Sequence, residues 1–137
     1  MSLQNAVENL QELAEAIEAQ PPEVDENLSC CLECPDGLVL NFIYDDSGDA
    51  LYIYLPMLEG LPQDIGKKAE LYERLLEYSL KLGRRQLGTI GIDLENDRLM
   101  FYAYIDVKEP GKESLVDLLP EFMDMANLWK EVIERVS

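Results

Sequence analysis

Apolar residues recur along this chain first at helical and then at strand spacing. Over residues 3–19, Leu3, Val7, Leu10, Ala14 and Ile17 return every three or four positions, with Glu8, Glu12, Glu15 and Glu18 on the polar side. That is the pattern of an amphipathic helix. The run QPPEVDEN ends it, because Pro21 and Pro22 cannot continue a helix. Three short segments follow, each closed by turn chemistry: LSCCLEC by PDG, LVLNFIY by DDSGD and ALYIYL by Pro56. Leu40 and Phe42 alternate about Asn41 with the period of a strand, so the three segments predict an antiparallel meander.

The segment after Pro62 predicts a helix with an unusually wide apolar arc. Ile65, Ala69, Tyr72, Leu76 and Leu80 form one stripe, and Leu71, Leu75, Tyr78 and Leu82 a second beside it. At about 100° per residue the two stripes span roughly 200°, twice what a one-sided surface helix needs. Such a helix is either central to the core or covered on its second side by another subunit, and the arc favours the subunit. Gly83 ends it.

QLGTIGIDL and RLMFYAYIDV then read as a hairpin across END. Its second arm sends Leu99, Phe101, Ala103, Ile105 and Val107 to one face and Met100, Tyr102, Tyr104 and Asp106 to the other. The glycines of LGTIGIDL mark a close backbone approach or a bulge. EPGK leads to a last helix, with Ser114 and Asp117 as a capping box and Leu115, Leu118, Phe122, Ala126, Trp129, Ile133 and Val136 at helical spacing. Pro120 is expected to kink its first turns or shift its start. The order α-β-β-β-α-β-β-α, without repeat or linker, predicts one α+β domain over residues 1–137, helices packed on an antiparallel sheet.

Charge narrows the choice of partner. The chain carries 28 Asp plus Glu against 11 Lys plus Arg, a net charge of −17, and Lys67 is its first basic residue. It repels phosphates and anionic membranes at long range, so nucleic acid and membrane insertion are not expected. The N-terminal residues show no signal-peptide pattern, and no apolar run is long enough to span a bilayer. Three clustered cysteines, Cys30, Cys31 and Cys34, suit a reducing cytoplasm.

Catalytic chemistry finds no purchase. There is no histidine, hence no Ser-His pair and no imidazole metal ligand. Cys31-Leu-Glu-Cys34 is formally CxxC, but a zinc site needs a second pair of soft ligands, and a redox CxxC opens a helix rather than a strand. DDSGD lacks the length and closing Glu of a calcium loop and reads as a hairpin turn. No phosphate-binding glycine motif occurs. No cofactor, metal or enzymatic activity is expected.

An acidic, non-catalytic chain with apolar helix and strand faces suggests a binding protein. DALYIYLPMLEGLPQDIGKKAELYERLLEYSL resembles the strand, apolar bend and LY-x-x-LL helix of the class I type III secretion chaperones, the Tir chaperone or CesT family. LGTIGIDLENDRLMFYAYI is similar to that family's G-x-x-G-x-D hairpin, and the closing helix through Trp129 fits as well. The resemblance implies a cytoplasmic bacterial homodimer that holds the N-terminal region of a secreted effector extended and presents it to the secretion ATPase. A non-catalytic adaptor of the same fold that binds a folded partner is the alternative. By position, the resemblance points to Leu10, Leu13, Ile17, Leu32, Leu40, Phe42, Leu51 and Ile53 as effector-binding residues, each equally able to be core. Tyr52 and Tyr54, on the opposite strand face, are an alternative groove wall. Dimer residues are expected at Leu71, Leu75, Tyr78, Leu82, Leu87, Ile90 and Ile92, unless these fill the core. Met57, Leu58 and Leu61 of the bend are expected to pack under the core or near the dimer seam.

Overall fold

The computed structural model describes residues 2–20, 28–35, 37, 39–83, 87–108 and 113–136. The predicted stop at Pro21 and Pro22 and the EPGK segment lie outside them. Eight elements appear in the expected order. They are α1 (Ser2–Ala16), β1 (Ser29–Glu33), β2 (Val39–Asp45), β3 (Ala50–Glu59), α2 (Ile65–Leu82), β4 (Thr89–Asp93), β5 (Arg98–Asp106) and α3 (Leu115–Val136). The strands form one sheet in the order β1-β2-β3-β5-β4, with β1–β2, β2–β3 and β4–β5 antiparallel. The fold is α+β, as the element order required.

The chain divides into two compact units, residues 1–55 with 103–120 and residues 56–102 with 121–137. In the first, alternate strand residues are buried: Cys30, Leu32, Leu40, Phe42, Tyr44, Leu51, Ile53, Leu55, Ala103 and Ile105. α1 contributes Ala6, Leu10, Leu13 and Ala14 to the same core. Two carboxamides one turn apart tie α1 down. Asn5 Nδ2 donates to the Val107 carbonyl at 2.9 Å, and Asn9 Oδ1 accepts from the Leu115 backbone N–H at 3.0 Å. The second bond occupies a donor that the first turn of α3 would otherwise leave unpaired. α1 itself ends before the prolines. Glu18 is left-handed (φ 57°) and the Ala19 N–H returns to the Ala14 carbonyl, the geometry of a Schellman stop.

In the second unit, Asp64 caps α2 by accepting from the Lys67 N–H at 3.0 Å, and Gly83 closes it. Leu71 and Leu75 are buried with Leu61, Leu99, Phe101, Phe122 and Trp129. Phe101 stacks on Phe122 with centroids 4.8 Å apart, and Tyr78 meets Trp129 edge-on at 5.2 Å. At the β4–β5 turn, Asn96 and Arg98 hydrogen-bond the Asp93 carboxylate and hold its pKa below the usual range.

One expectation is corrected. Pro56 does not end the third strand, since β3 runs through it to Glu59. The β2–β3 register closes at Asn41–Tyr54, so the proline, which has no N–H to give, lies beyond the paired stretch on that side. Of the two effects expected of Pro120, a shifted start is not seen, since α3 begins at Leu115 and runs through it for 22 residues. Ser114 starts that helix, its Oγ accepting from the Val116 N–H.

Gly88 shows why the glycine of the LGTIG stretch is there. It adopts φ +84°, and a Cβ would lie 2.5 Å from the Tyr102 carbonyl oxygen and 3.0 Å from the Phe101 ring. Gly60, at φ +83°, has open space around its own Cβ position. Gly88→Ala should therefore lower unfolding free energy by about 2–4 kcal/mol, and Gly60→Ala by only about 1 kcal/mol. Urea unfolding of the two variants measures the difference, and equal losses would refute the backbone-contact explanation.

Candidate functional site

A strand sends successive side chains to opposite faces, and in the first unit both faces carry apolar residues. One face is the core already described. The other bears Cys31 on β1, Val39, Asn41 and Ile43 on β2, Tyr52 and Tyr54 on β3, and Tyr104 on β5. Val39 is 42% exposed, Ile43 43% and Tyr104 60%, whereas Tyr52 and Tyr54 are half-buried. These are large exposures for apolar and aromatic residues on a sheet.

Their arrangement is continuous across three strands. Ile43 stands opposite Tyr52 in the β2–β3 register, and Asn41 opposite Tyr54. The Tyr52 ring stacks on Tyr54 with centroids 6.0 Å apart and meets Tyr104 at 5.4 Å, tilted 41°. The rings brace one another, so the surface is largely preformed and loses little rotamer freedom when something binds. Cys31 donates through Sγ to Asn41 Oδ1 at 3.1 Å, extending the face toward β1. No Lys or Arg lies on β1, β2 or β3. The Asp45 carboxyl, at the end of β2, is held below its usual pKa chiefly by the Ser47 hydroxyl and stays charged. The face is thus aromatic, half-wet and rimmed by negative charge.

The residues expected to bind an effector lie on the other face of these strands and on α1. Leu10, Leu13, Leu32, Leu40, Phe42, Leu51 and Ile53 are at most 3% exposed, on the core side of the same strands and under α1. Ile17 alone is half-buried, just past the end of α1. Seven of the eight are buried in the core of the first unit. Strand parity separates them from the open face, because even-numbered β2 residues and odd-numbered β3 residues point inward. The Tyr52 and Tyr54 pair is the part of the expectation that lies on an accessible surface. Tyr104 and Ile43 were missed as its neighbours, although the alternation that placed Tyr104 opposite Phe101 and Ile105 was visible in the sequence.

The two stripes of α2 divide the opposite way from the expectation. Leu71 and Leu75, assigned to a dimer seam, are buried within the chain, and Tyr78 and Leu82 are half-buried. The other stripe faces out, with Ile65 84%, Leu76 73% and Leu80 84% exposed. Of the strand residues expected in the seam, Leu87 and Ile90 are half-buried and Ile92 is 46% exposed, beside Leu94 at 77%. Leu61 of the bend is buried, whereas Met57 and Leu58 are half-buried.

Among the described residues no cluster of three or more His, Cys, Asp or Glu side chains is placed to hold a metal ion. Cys30 is buried and Cys31 exposed, so adjacent thiols point to opposite faces of β1. No helix formed by the described residues is long and apolar enough to cross a membrane.

Helices packed on a five-stranded sheet, with an open aromatic face and no metal cluster among the described residues, define a small α+β protein built around surfaces. The model of the Tir chaperone protein (CesT) family matches residues 8–130, and the chain belongs to that family. Among solved structures, it is similar to a chain in the structure of the HopA1-SchA chaperone-effector complex, with TM-score 0.66, 19% identity, and 96% and 97% of the two chains covered. It is also similar to a chain in the crystal structure of the ExsC-ExsE complex, with TM-score 0.69, 17% identity, and 95% and 94% covered. An uncharacterized protein from Methanothermobacter thermautotrophicus shares the fold as well, with TM-score 0.61, 19% identity and full coverage of both chains. No curated protein matches the sequence.

The assignment of core and open face can be measured separately from any partner. Leu40→Ala should cost about 2–5 kcal/mol of stability, since it empties a site with no solvent access. Ile43→Ser, three residues away on the open face, should change stability by less than about 1 kcal/mol. Equal losses in chemical denaturation would show that the outer face is closed.

Proposed function

We propose that this protein is a type III secretion chaperone that binds the N-terminal region of one or more secreted effectors and keeps it extended for export. Membership of the CesT family across residues 8–130 carries this reading. The tyrosine face supplies a physical means. An extended segment laid on it gains aromatic contact with Tyr52, Tyr54 and Tyr104, and its alternate side chains meet apolar ground at Ile43 and Val39. A negative rim adds attraction for a basic segment, raising the rate of encounter more than the affinity. The absence of histidine is in keeping with a protein that binds rather than catalyses, and the secretion ATPase is the proposed recipient of the loaded complex.

Co-expression with candidate effectors, followed by affinity capture, tests the reading. Capture should be lost when the effector's N-terminal segment is deleted, and reduced at least about tenfold by the double change Ile43→Asp and Tyr104→Ser, which leaves the core intact. Capture that survives loss of the segment would instead indicate an adaptor for a folded partner, and failure to capture any effector would overturn the chaperone reading.

We further propose that the working form is a homodimer and that its seam uses the outward stripe of α2. Ile65, Leu76 and Leu80 share one exposed apolar stripe of α2, and Ile92 and Leu94 are exposed in the same unit. Light scattering at micromolar concentration should give a dimer. Leu76→Glu combined with Leu80→Glu should give a monomer with unchanged circular dichroism. A monomeric wild-type chain would end the dimer proposal.

A further inference from the structure

In a chain of net charge −17, positive charge is scarce, and three of its eleven cations converge on one cleft. The cleft, about 200 Å³, is lined by Arg74, Glu77, Tyr78 and Lys81 of α2 and by Val132 and Arg135 of α3. Lys81 is already paired with Glu77 at 3.1 Å, and that bond holds the Glu77 carboxyl below its usual pKa. Among the described residues neither Arg74 nor Arg135 makes a salt bridge. Glu77 also interacts with the Arg74 charge, so the lining sets three cations against one carboxylate, beside the apolar walls of Tyr78 and Val132.

We propose that this cleft receives a carboxylate side chain from an acidic segment of a protein partner. Guanidinium groups present paired donors that match a carboxylate, and the Tyr78 and Val132 walls accommodate its methylene stem. At 200 Å³ the cleft is smaller than ordinary small-molecule sites, which run from about 300 Å³ upward, and suits one side chain rather than a whole ligand. A carboxylate held by neighbouring peptide contacts loses less freedom on docking than a free oxyanion does. The site is separate from the proposed dimer stripe. On α2, Arg74, Glu77 and Lys81 lie roughly 130° around the helix from Ile65, Leu76 and Leu80. It shares no residue with the tyrosine face, so it does not depend on the chaperone reading.

The single tryptophan supplies a reporter, because Trp129 meets the cleft-lining Tyr78 ring at 5.2 Å. The probe is an acetylated and amidated heptapeptide of alternating glutamate and glycine, titrated at low ionic strength while Trp129 emission is read. A fluorescein-labelled copy, read by anisotropy, serves as a second measurement. The expected result is saturable binding by the glutamate peptide, none by the same peptide with glutamine, and a loss of at least about tenfold in the double variant Arg74→Glu, Arg135→Glu. Arg74→Gln alone, which adds no charge, should weaken binding by a smaller factor and guards against a misfolded double variant. Absence of saturable binding by both measurements would overturn the proposal, as would equal affinity for the glutamine peptide or for the variants. Displacement of the peptide by inorganic phosphate at the same concentration would also overturn it, since the cleft would then be a general oxyanion site.

Discussion

Asn5 is a buried polar residue in a helix that otherwise buries alanine and leucine, and its hydrogen bond to the Val107 carbonyl joins positions 102 residues apart. A buried amide without a partner costs roughly 1–3 kcal/mol, so this bond selects one seating of α1 and penalises others. Asn9, one turn on, repeats the device at the start of α3. With α1 fixed by both ends of this pair, Leu10 and Leu13 are held over the inner residues of β1, β2 and β3, and the inner face closes. The open tyrosine face is a consequence, because a strand whose alternate residues are committed to α1 has only its other face to offer.

The periodic elements were legible because their apolar spacing is forced by burial. The meander, the β4–β5 hairpin and all three helices follow from that spacing, as does the inward set Leu99, Phe101, Ala103 and Ile105. What spacing cannot assign is which of two apolar faces is covered. β2 and β3 are apolar on both sides, and α2 carries two stripes, so parity and arc predict that surfaces exist without telling inside from outside. Leu40 and Phe42 on one side of β2 and Val39 and Ile43 on the other are equivalent patterns in the sequence. The asparagines were illegible for another reason. In LQNAVENLQEL they look like the polar side of an amphipathic helix, and their partners lie more than a hundred residues away.

Pro56 and Pro120 teach a narrower lesson about local rules. A proline ends an element when its missing N–H would be needed by a neighbour, and Pro56 lies beyond the last β2–β3 pair. Pro120 lies near the start of a 22-residue helix, whose later turns bury Phe122, Ala126 and Trp129. Packing of that length outweighs one lost hydrogen bond and a local ring clash, about 3 kcal/mol together. Sequence rules for proline state a local cost, and tertiary burial sets whether the cost decides the outcome.

The acidic composition acquires a role once the surfaces are placed. Exposed Tyr104 and Ile43 in the first unit, and exposed Leu76 and Leu80 in the second, are the kind of surface that drives indiscriminate association. A net charge of −17 opposes such contacts at a distance, while a contact that buries enough apolar area overcomes the repulsion once it is made. At physiological salt the repulsion reaches only about 8 Å, so it acts at close approach and is overcome only where enough apolar area is buried. The absence of any Lys or Arg before Lys67, in the stretch that carries β1, β2, β3 and most of the tyrosine face, leaves the acids there uncompensated and puts the repulsion where the open surface is.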